Sequence, residues 1–246
     1  MIDIHCHILP GLDDGPDCPA HAIKMAEQAM KSGIDTIIAT PHFLDMIHEV
    51  SMDKIKKTAM TLQKELLKKG LKLKIFTGAE IRMVHNICQL LDKGCLPSLA
   101  ESNYYLFELP EIFIPDSITR VLKQLNDRNV IPVIAHPERN YSIMKNPVLI
   151  KKLKSVNIKF QLTGQSILGK NGKTSLNIAK QMVKDSAADF IGSDGHNTSS
   201  RKPCFKNIYK AITKIAHKGM AQKIMIENPE QIFKTSFSGK AGRLAG

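Results

Sequence analysis

The first sixteen residues, MIDIHCHILPGLDDGP, place His5 and His7 on a short apolar run and Asp13 and Asp14 in the loop after it. Side chains two apart on a strand project from one face, so the two imidazoles stand side by side. Such a pair calls for a shared partner, and neutral imidazole is the commonest metal ligand. Later segments add to it: ATPH gives His42, GAE gives Glu80, FELP gives Glu108, AHPER gives His136, Glu138 and Arg139, and GSDGH gives Asp194 and His196. Each of these ends an apolar, β-branched run. A single buried histidine reads as a core residue with a hydrogen bond. Six strands that each end in His or an acid do not, because buried charge is costly unless paired or bound to metal. Nitrogen and oxygen donors without a thiolate group suit Mn²⁺, Zn²⁺ or Fe and argue against a structural zinc.

Arg139 and Arg201 follow His136 and His196 closely and fall at the rim of that cluster. Guanidinium forks match phosphate oxygens, and the plainer role for Arg139 is a salt bridge to Glu138 or another acid. The cysteines do not supply a phosphatase nucleophile. None of the five has Arg six positions on, the spacing a thiolate phosphatase needs. Cys6 lies between two presumed ligands, so it points the other way and packs. Any phosphate chemistry therefore runs through metal and water.

These residues need a scaffold that brings strand ends together. The runs IDIHCHIL, DTIIAT, LKIFTGAEI, YYLFELP, VIPVIAHP, IKFQLTG and ADFIGSDG read as strands. Amphipathic stretches lie between them. AHAIKMAEQAMKS turns Ile23, Ala26 and Met30 to one face and stops at Gly33; DKIKKTAMTLQKELLKK stops at Gly70. DSITRVLKQLNDRN opens on an Asp or Ser cap, NPVLIKKLKS on Asn146, and TSLNIAKQMVKDSA on Thr or Ser. Repeated strand–helix units with continuously apolar strands imply a parallel sheet buried on both faces. A barrel is expected over an open sheet, because polar residues fall at every strand end and not at one switch point. From about Arg201 onward the chain reads as a loop and terminal helices. Residues 1–235 read as one unit and 236–246 as a small basic tail.

The 246 residues can bury a sizeable core. The net charge of +12 favours anionic partners, but the lysines lie on helices and read as solvated faces. No Trp and four Tyr leave little for stacking on bases, so nucleic acid is not expected as a partner. An odd cysteine count without CxxC points to a reduced, cytoplasmic protein. Neither a signal peptide nor an apolar run of the ~20 residues that span a membrane is present.

In order, DIHCHILPGLDDGP, TPH, GAEI, FELP, IAHPERN and GSDGHN resemble the PHP (polymerase and histidinol phosphatase) superfamily. More narrowly, they are similar to its bacterial protein-tyrosine phosphatases of capsule and exopolysaccharide loci, over about residues 1–235. DDGP and HPERN are the specific parts; HxH marks only the superfamily. The resemblance implies a distorted (β/α)7 TIM-like barrel with three ions, usually Mn²⁺. By motif, His5, His7, Glu80 and Asp194 would hold the first ion. Glu80 would bridge to a second, completed by Glu108 and His136. Asp14, His42 and His196 would hold the third. Arg139 and Arg201 would grip the phosphate, with His42 or His196 assisting the leaving group. The implied substrate is a tyrosine-phosphorylated autokinase controlling polysaccharide synthesis, which adds docking at a membrane-bound kinase. The loop after His42 carries no Arg or Lys before Lys54, so it offers phosphopeptide no cation. The alternatives are a small-molecule phosphoesterase like histidinol phosphatase, a metal-dependent amidohydrolase, and a phosphate-sensing or nucleic-acid-binding module without catalysis. Oligomeric state stays open.

Overall fold

The computed structural model describes residues 1–241, with side chains through residue 235. The strands in chain order are β1 (Ile2–Cys6), β2 (Thr36–Ala39), β3 (His42–Phe43), β4 (Lys74–Thr77), β5 (Glu80–Arg82), β6 (Tyr104–Glu108), β7 (Ile131–Ala135), β8 (Lys159–Thr163) and β9 (Phe190–Gly192). They form two sheets, β1-β2-β4 and β3-β5-β6-β7-β8-β9, and every pairing is parallel. β3 continues β2 and β5 continues β4 after short breaks, so the nine strands make seven units, as expected. The seam closes where the His7 N–H donates to Gly195 O and the Asp194 N–H to His5 O, both at 2.8 Å. The fold is a distorted (β/α)7 barrel.

The second and third expected strands are each broken in two. Pro41, between β2 and β3, has no N–H to give a ladder, which confines it to a break or edge. Pairing survives across the gaps: Gly78 N–H donates to Ala39 O at 2.9 Å, and Glu80 N–H to Pro41 O at 3.0 Å.

The barrel interior is layered. One layer is apolar, with Ile4, Ile38, Leu106, Val133 and Phe190 packed together and Ile232 of the last helix joining them. Moving two residues on, the period of one sheet face, leads from Leu106 to Glu108 on β6 and from Phe190 through Gly192 to Asp194 past the end of β9. The polar layer therefore sits at the carboxyl ends of the strands, directly on the apolar one.

Helices cover the outside. Pro19–Lys31 buries Ala22, Ile23, Met25, Ala26 and Ala29, while Met30 of the expected face is only half-buried. Met52–Lys68 buries Ile55, Ala59, Leu62 and Leu66 at helical spacing, and the Ser51 side chain accepts from the Lys54 N–H. The helix Lys173–Lys184 is preceded by Gly172 as its cap, not by the expected Thr or Ser. After Arg201 come Lys206–Ile215, Lys218–Gln222, a π-helical turn Lys223–Glu227 and Asn228–Ala241. That last helix enters the expected basic tail, and residues 242–246 lie outside the described residues. Among the described residues no helix is long and apolar enough to cross a membrane.

Candidate active site

β1 builds the floor of the site through an irregularity. Its register against β2 shifts between Asp3 and Cys6, so one extra residue is accommodated. Bulges of this kind re-aim side chains beside active sites. Ile4 packs in the barrel interior, yet the next residue, His5, also reaches inward, with its Nε2 3.2 Å from His7 Nε2. The buried Asp3 carboxylate supports the bend, accepting from the His5 N–H at 3.3 Å and the Ser193 N–H at 2.9 Å. Cys6 points away into the outer core, fully buried, and its thiol donates to Gly195 O.

Acceptors fix the imidazole tautomers. His5 Nδ1 faces Gln161 Oε1 at 2.8 Å and His7 Nδ1 faces Asp13 Oδ2 at 2.6 Å. An acceptor at Nδ1 requires the proton there, which leaves the Nε2 lone pair free in the neutral ring. With both rings neutral, as ligands are, two lone pairs would confront each other. Glu80 Oε2 lies 3.4 Å and Asp194 Oδ1 3.6 Å from both Nε2 atoms. Four acceptors converging on one point suit a cation. His196 repeats the pattern: its Nδ1 meets Asp194 O at 2.9 Å, and its buried Nε2 has no hydrogen-bond partner although Asp14 Oδ1 is 3.1 Å away.

At the strand ends, three groupings have ligand atoms within 4.8 Å of one another: His5, His7 and Glu80; Glu80, Glu108 and His136; and His7, Asp14, His42 and His196; a fourth, Asp17, Cys18 and His21, lies apart on the surface. Glu80 is the hub of the first three, 2.6 Å from His136 Nε2 through one oxygen and 3.1 Å from His42 Nδ1 through the other. All nine residues expected as ligands come together, with Asp194 facing the first pair. His136 and Asp194 take left-handed backbone conformations, with φ of 32° and 52°. Side chains rarely tolerate this, and such strain concentrates at functional sites.

The field inside the cluster splits like groups apart. Burial opposes charge on His7, but the Asp13 hydrogen bond and Glu80 outweigh it and push His7 up to about 10. His196 moves down, from burial and from the charge on His7. Burial raises Glu80, yet His5 and His136 hold it well below the carboxylate range. Glu108 moves up, by burial first and then by the charge on Glu80. A set that holds some protons strongly and rejects others answers a demand for positive charge.

Both arginines converge on Asp194 from the rim. Arg139 Nη1 meets Asp194 Oδ2 at 2.5 Å, and Arg201 Nη2 lies 3.1 Å from both Asp194 oxygens. Arg139 thus pairs with a wall acid, though not with Glu138, which is buried and accepts from the Thr163 N–H. Four side chains beside the cluster had no role assigned from sequence. Asp13 and Gln161 hold the first two imidazoles. Arg82 lies 3.6 Å from Glu108, its strand neighbour, and the His48 ring stacks 6.1 Å from His42. A polar Gln on the apolar β8 run was the one signal for Gln161.

Gly15 explains the turn after the two acids. A Cβ there would lie 2.2 Å from His7 O and 3.0 Å from Asp13 Oδ1, so only glycine lets the loop pass this close. Gly192 does the same on β9, where a Cβ would be 2.6 Å from His5 Cβ.

A parallel barrel whose strand ends gather imidazoles and carboxylates into groupings fit for divalent ions, under two arginines, is of the metal-hydrolase class. The chain belongs to the capsular polysaccharide synthesis family CpsB/CapC, whose model matches residues 1–234. It is 38% identical over 201 residues to the tyrosine-protein phosphatase YwqE of Bacillus subtilis, covering 82% of this chain and 79% of that protein. It is 33% identical over 209 residues to a putative tyrosine-protein phosphatase, CapC, of Staphylococcus aureus, covering 85% and 82%. A solved structure from work on YwqE of B. subtilis and CpsB of Streptococcus pneumoniae, described as metal-dependent tyrosine phosphatases, superposes with a TM-score of 0.91 at 34% identity. The match covers 96% of this chain and 95% of that one.

Proposed function

We propose that the chain is a manganese-dependent protein-tyrosine phosphatase, with residues 1–235 as its catalytic barrel. The observation that carries this reading is the pair of His5 and His7 Nε2 atoms, 3.2 Å apart and closed in by Glu80 and Asp194. In this reading His5, His7, Glu80 and Asp194 would hold one of three ions, Glu80, Glu108 and His136 the second, and Asp14, His42 and His196 the third. Mixed nitrogen and oxygen donors without thiolate suit Mn²⁺, Zn²⁺ or Fe, and the resemblance to the capsule-type phosphatases selects Mn²⁺ among them. Bound divalent ions lower the pKa of water from 15.7 to about 7 and draw charge off phosphoryl oxygens.

The chain's own residues do the rest. Asp13 and Gln161 keep Nδ1–H on His7 and His5, so both Nε2 atoms stay turned to the centre. Arg139 and Arg201, aimed at the same point through Asp194, donate to the phosphate oxygens as charge builds on them. A tyrosine leaving group has a pKa near 10 and needs less proton help than an alkoxide. His42 and His196 are the imidazoles on the Asp14 side that would assist it. The substrate proposed is a tyrosine-phosphorylated autokinase that controls capsule or exopolysaccharide synthesis, met in the cytoplasm, where all five cysteines stay free.

The test uses phosphotyrosine and phosphoserine peptides of one sequence. Phosphate release from phosphotyrosine alone, abolished by EDTA and restored by Mn²⁺, is the expected result. EDTA-resistant release, or none from either peptide by the metal-loaded protein, rejects the reading in favour of another hydrolase.

Metal affinity should depend on pH with a defined sign. His7 in the chelated protein holds its proton up to about 10, so a metal entering at neutral pH must displace it. Affinity for Mn²⁺ therefore rises with pH, by up to about tenfold per unit for each proton released. The His7–Asp13 pair also lends the chelated protein stability that is full below the unfolded value of about 6.5. That contribution is lost as pH climbs through the folded value. Calorimetric titration across pH 6–9 in buffers of different ionisation enthalpy reads both the trend and the proton count. A flat affinity would mean that His7 enters the complex already neutral.

A further inference from the structure

A cavity of about 570 Å³ opens beside the polar layer, and the proposed reaction leaves it without a task. Glu108, His136 and Arg139 form its inner end, so it is continuous with the cluster. Leu109 and Ala135, both buried, line it further, and the exposed Ile112 and Tyr141 are its outer walls. Ile112 and Tyr141 are 73% and 51% exposed, too much for residues that serve only packing. Their backbone is nevertheless held firmly. Asn140 Nδ2 donates to Pro110 O at 2.7 Å, the Tyr141 N–H to Glu111 O at 3.1 Å, and the Ser142 hydroxyl to Ile112 O at 3.0 Å. Three successive carbonyls are thus tied to the start of one short helix, Tyr141–Lys145. Lys145 Nζ sits over the Tyr141 ring, 5.5 Å from its centre. Asn140, the last residue of HPERN, is therefore a wall-builder of this cavity.

We propose that this cavity, between Ile112 and Tyr141, is the slot for the aromatic ring of an aryl phosphomonoester whose phosphate sits at Arg139. The proposal rests on the phosphatase reading and adds what selects its substrate. Charge and shape point to one occupant. The inner end offers a guanidinium for phosphate, and the walls offer an aliphatic and an aromatic surface for a flat ring. Glu108 and Glu111 line the same space, which disfavours a second anionic group and leaves an uncharged ring as the complement. A phosphoserine side chain is too short to carry its phosphate past these walls and still fill them. Ile112 and Tyr141 are then specificity-determining residues, and Asn140 positions them.

The test compares two non-hydrolysable probes, benzylphosphonate and methylphosphonate, by calorimetric titration of the Mn²⁺-loaded protein. Wild type should bind benzylphosphonate more tightly. Tyr141→Ala should shrink that preference about three- to tenfold, the value of one aromatic pair, and Tyr141→Phe should keep it. Ile112→Ala should act in the same direction. In kinetics, KM for phenyl phosphate should rise in Tyr141→Ala more than kcat falls. Equal affinity of wild type for the two probes, or a preference that survives Tyr141→Ala and Ile112→Ala together, overturns the proposal. The two failures are separable. A wild type that hydrolyses phosphotyrosine but shows no benzyl preference loses the slot and keeps the activity. One that prefers benzylphosphonate through Tyr141, yet hydrolyses no phosphotyrosine, keeps the slot and loses the activity.

Discussion

Glu80→Ala should lose phosphotyrosine hydrolysis by about 10³-fold or more, together with part of the bound metal. This carboxylate reaches four imidazoles of the cluster. One oxygen lies 2.6 Å from His136, and the other lies 3.1 Å from His42 and 3.4 Å from both His5 and His7. Removing even an outer partner of a metal site commonly costs 10–100-fold, and a residue shared between two groupings should cost more than that. Glu80→Gln separates charge from volume. It keeps the packing but removes the anion that draws positive charge onto the buried imidazoles, so its metal content should fall nearly as far. The fold should survive in both variants, because the apolar layer of Ile4, Ile38, Leu106, Val133 and Phe190 lies below the site. Metal analysis, circular dichroism and kcat/KM on one preparation decide the matter. A full metal complement with unchanged turnover in Glu80→Ala would remove Glu80 from the centre.

Much of this centre was legible in the chain because a parallel barrel collects strand ends, and the chemistry-bearing residues stand where apolar runs stop. His5, His7, His42, Glu80, Glu108, His136, Asp194 and His196 needed only that rule. What escaped depends on neighbours distant in sequence. The bulge between Asp3 and Cys6 exists because β1 must satisfy β2 on one side and Ser193 on the other. No local pattern states that. Arg82 meets Glu108 only through the register of β5 on β6. His48 reads as a loop histidine until the turn around Asp45 folds back: Asp45 accepts from its N–H and its ring nitrogen, and the ring lies along His42. Asp13 was visible beside Asp14, but Gly15 decides their division of labour. The close pass of the loop over His7 O turns Asp13 inward to the His7 ring and leaves Asp14 half-exposed, facing His196 and Arg201.

The loop geometry around Asp194 also shapes what its two arginines can be tested for. Arg139→Ala and Arg201→Ala should each lower kcat/KM for phosphotyrosine peptides by about 10²-fold, the usual cost of losing one donor to developing charge. The objection is that Asp194 would lose a partner and fail as a ligand, so that activity falls for the wrong reason. The balance at Asp194 answers it. Burial pushes that carboxyl up, and it is held low by the charge on His5 before Arg201, with His136 and Arg139 contributing less. Either arginine can leave while the other still meets Asp194, so the carboxylate keeps a cationic partner and metal content should stay full. Lysine should not rescue at position 201. Arg201 spans both Asp194 oxygens at 3.1 Å while its Nη1 reaches Asp14 Oδ2 at 3.5 Å. A single ammonium cannot reproduce that fork. Because both guanidinium groups meet at one carboxylate, their effects should not be additive, and the double variant should lose less than the product of the two single losses. Full metal content with 10²-fold losses would assign the arginines to phosphate. Loss of metal in either variant would make them supports of Asp194 instead.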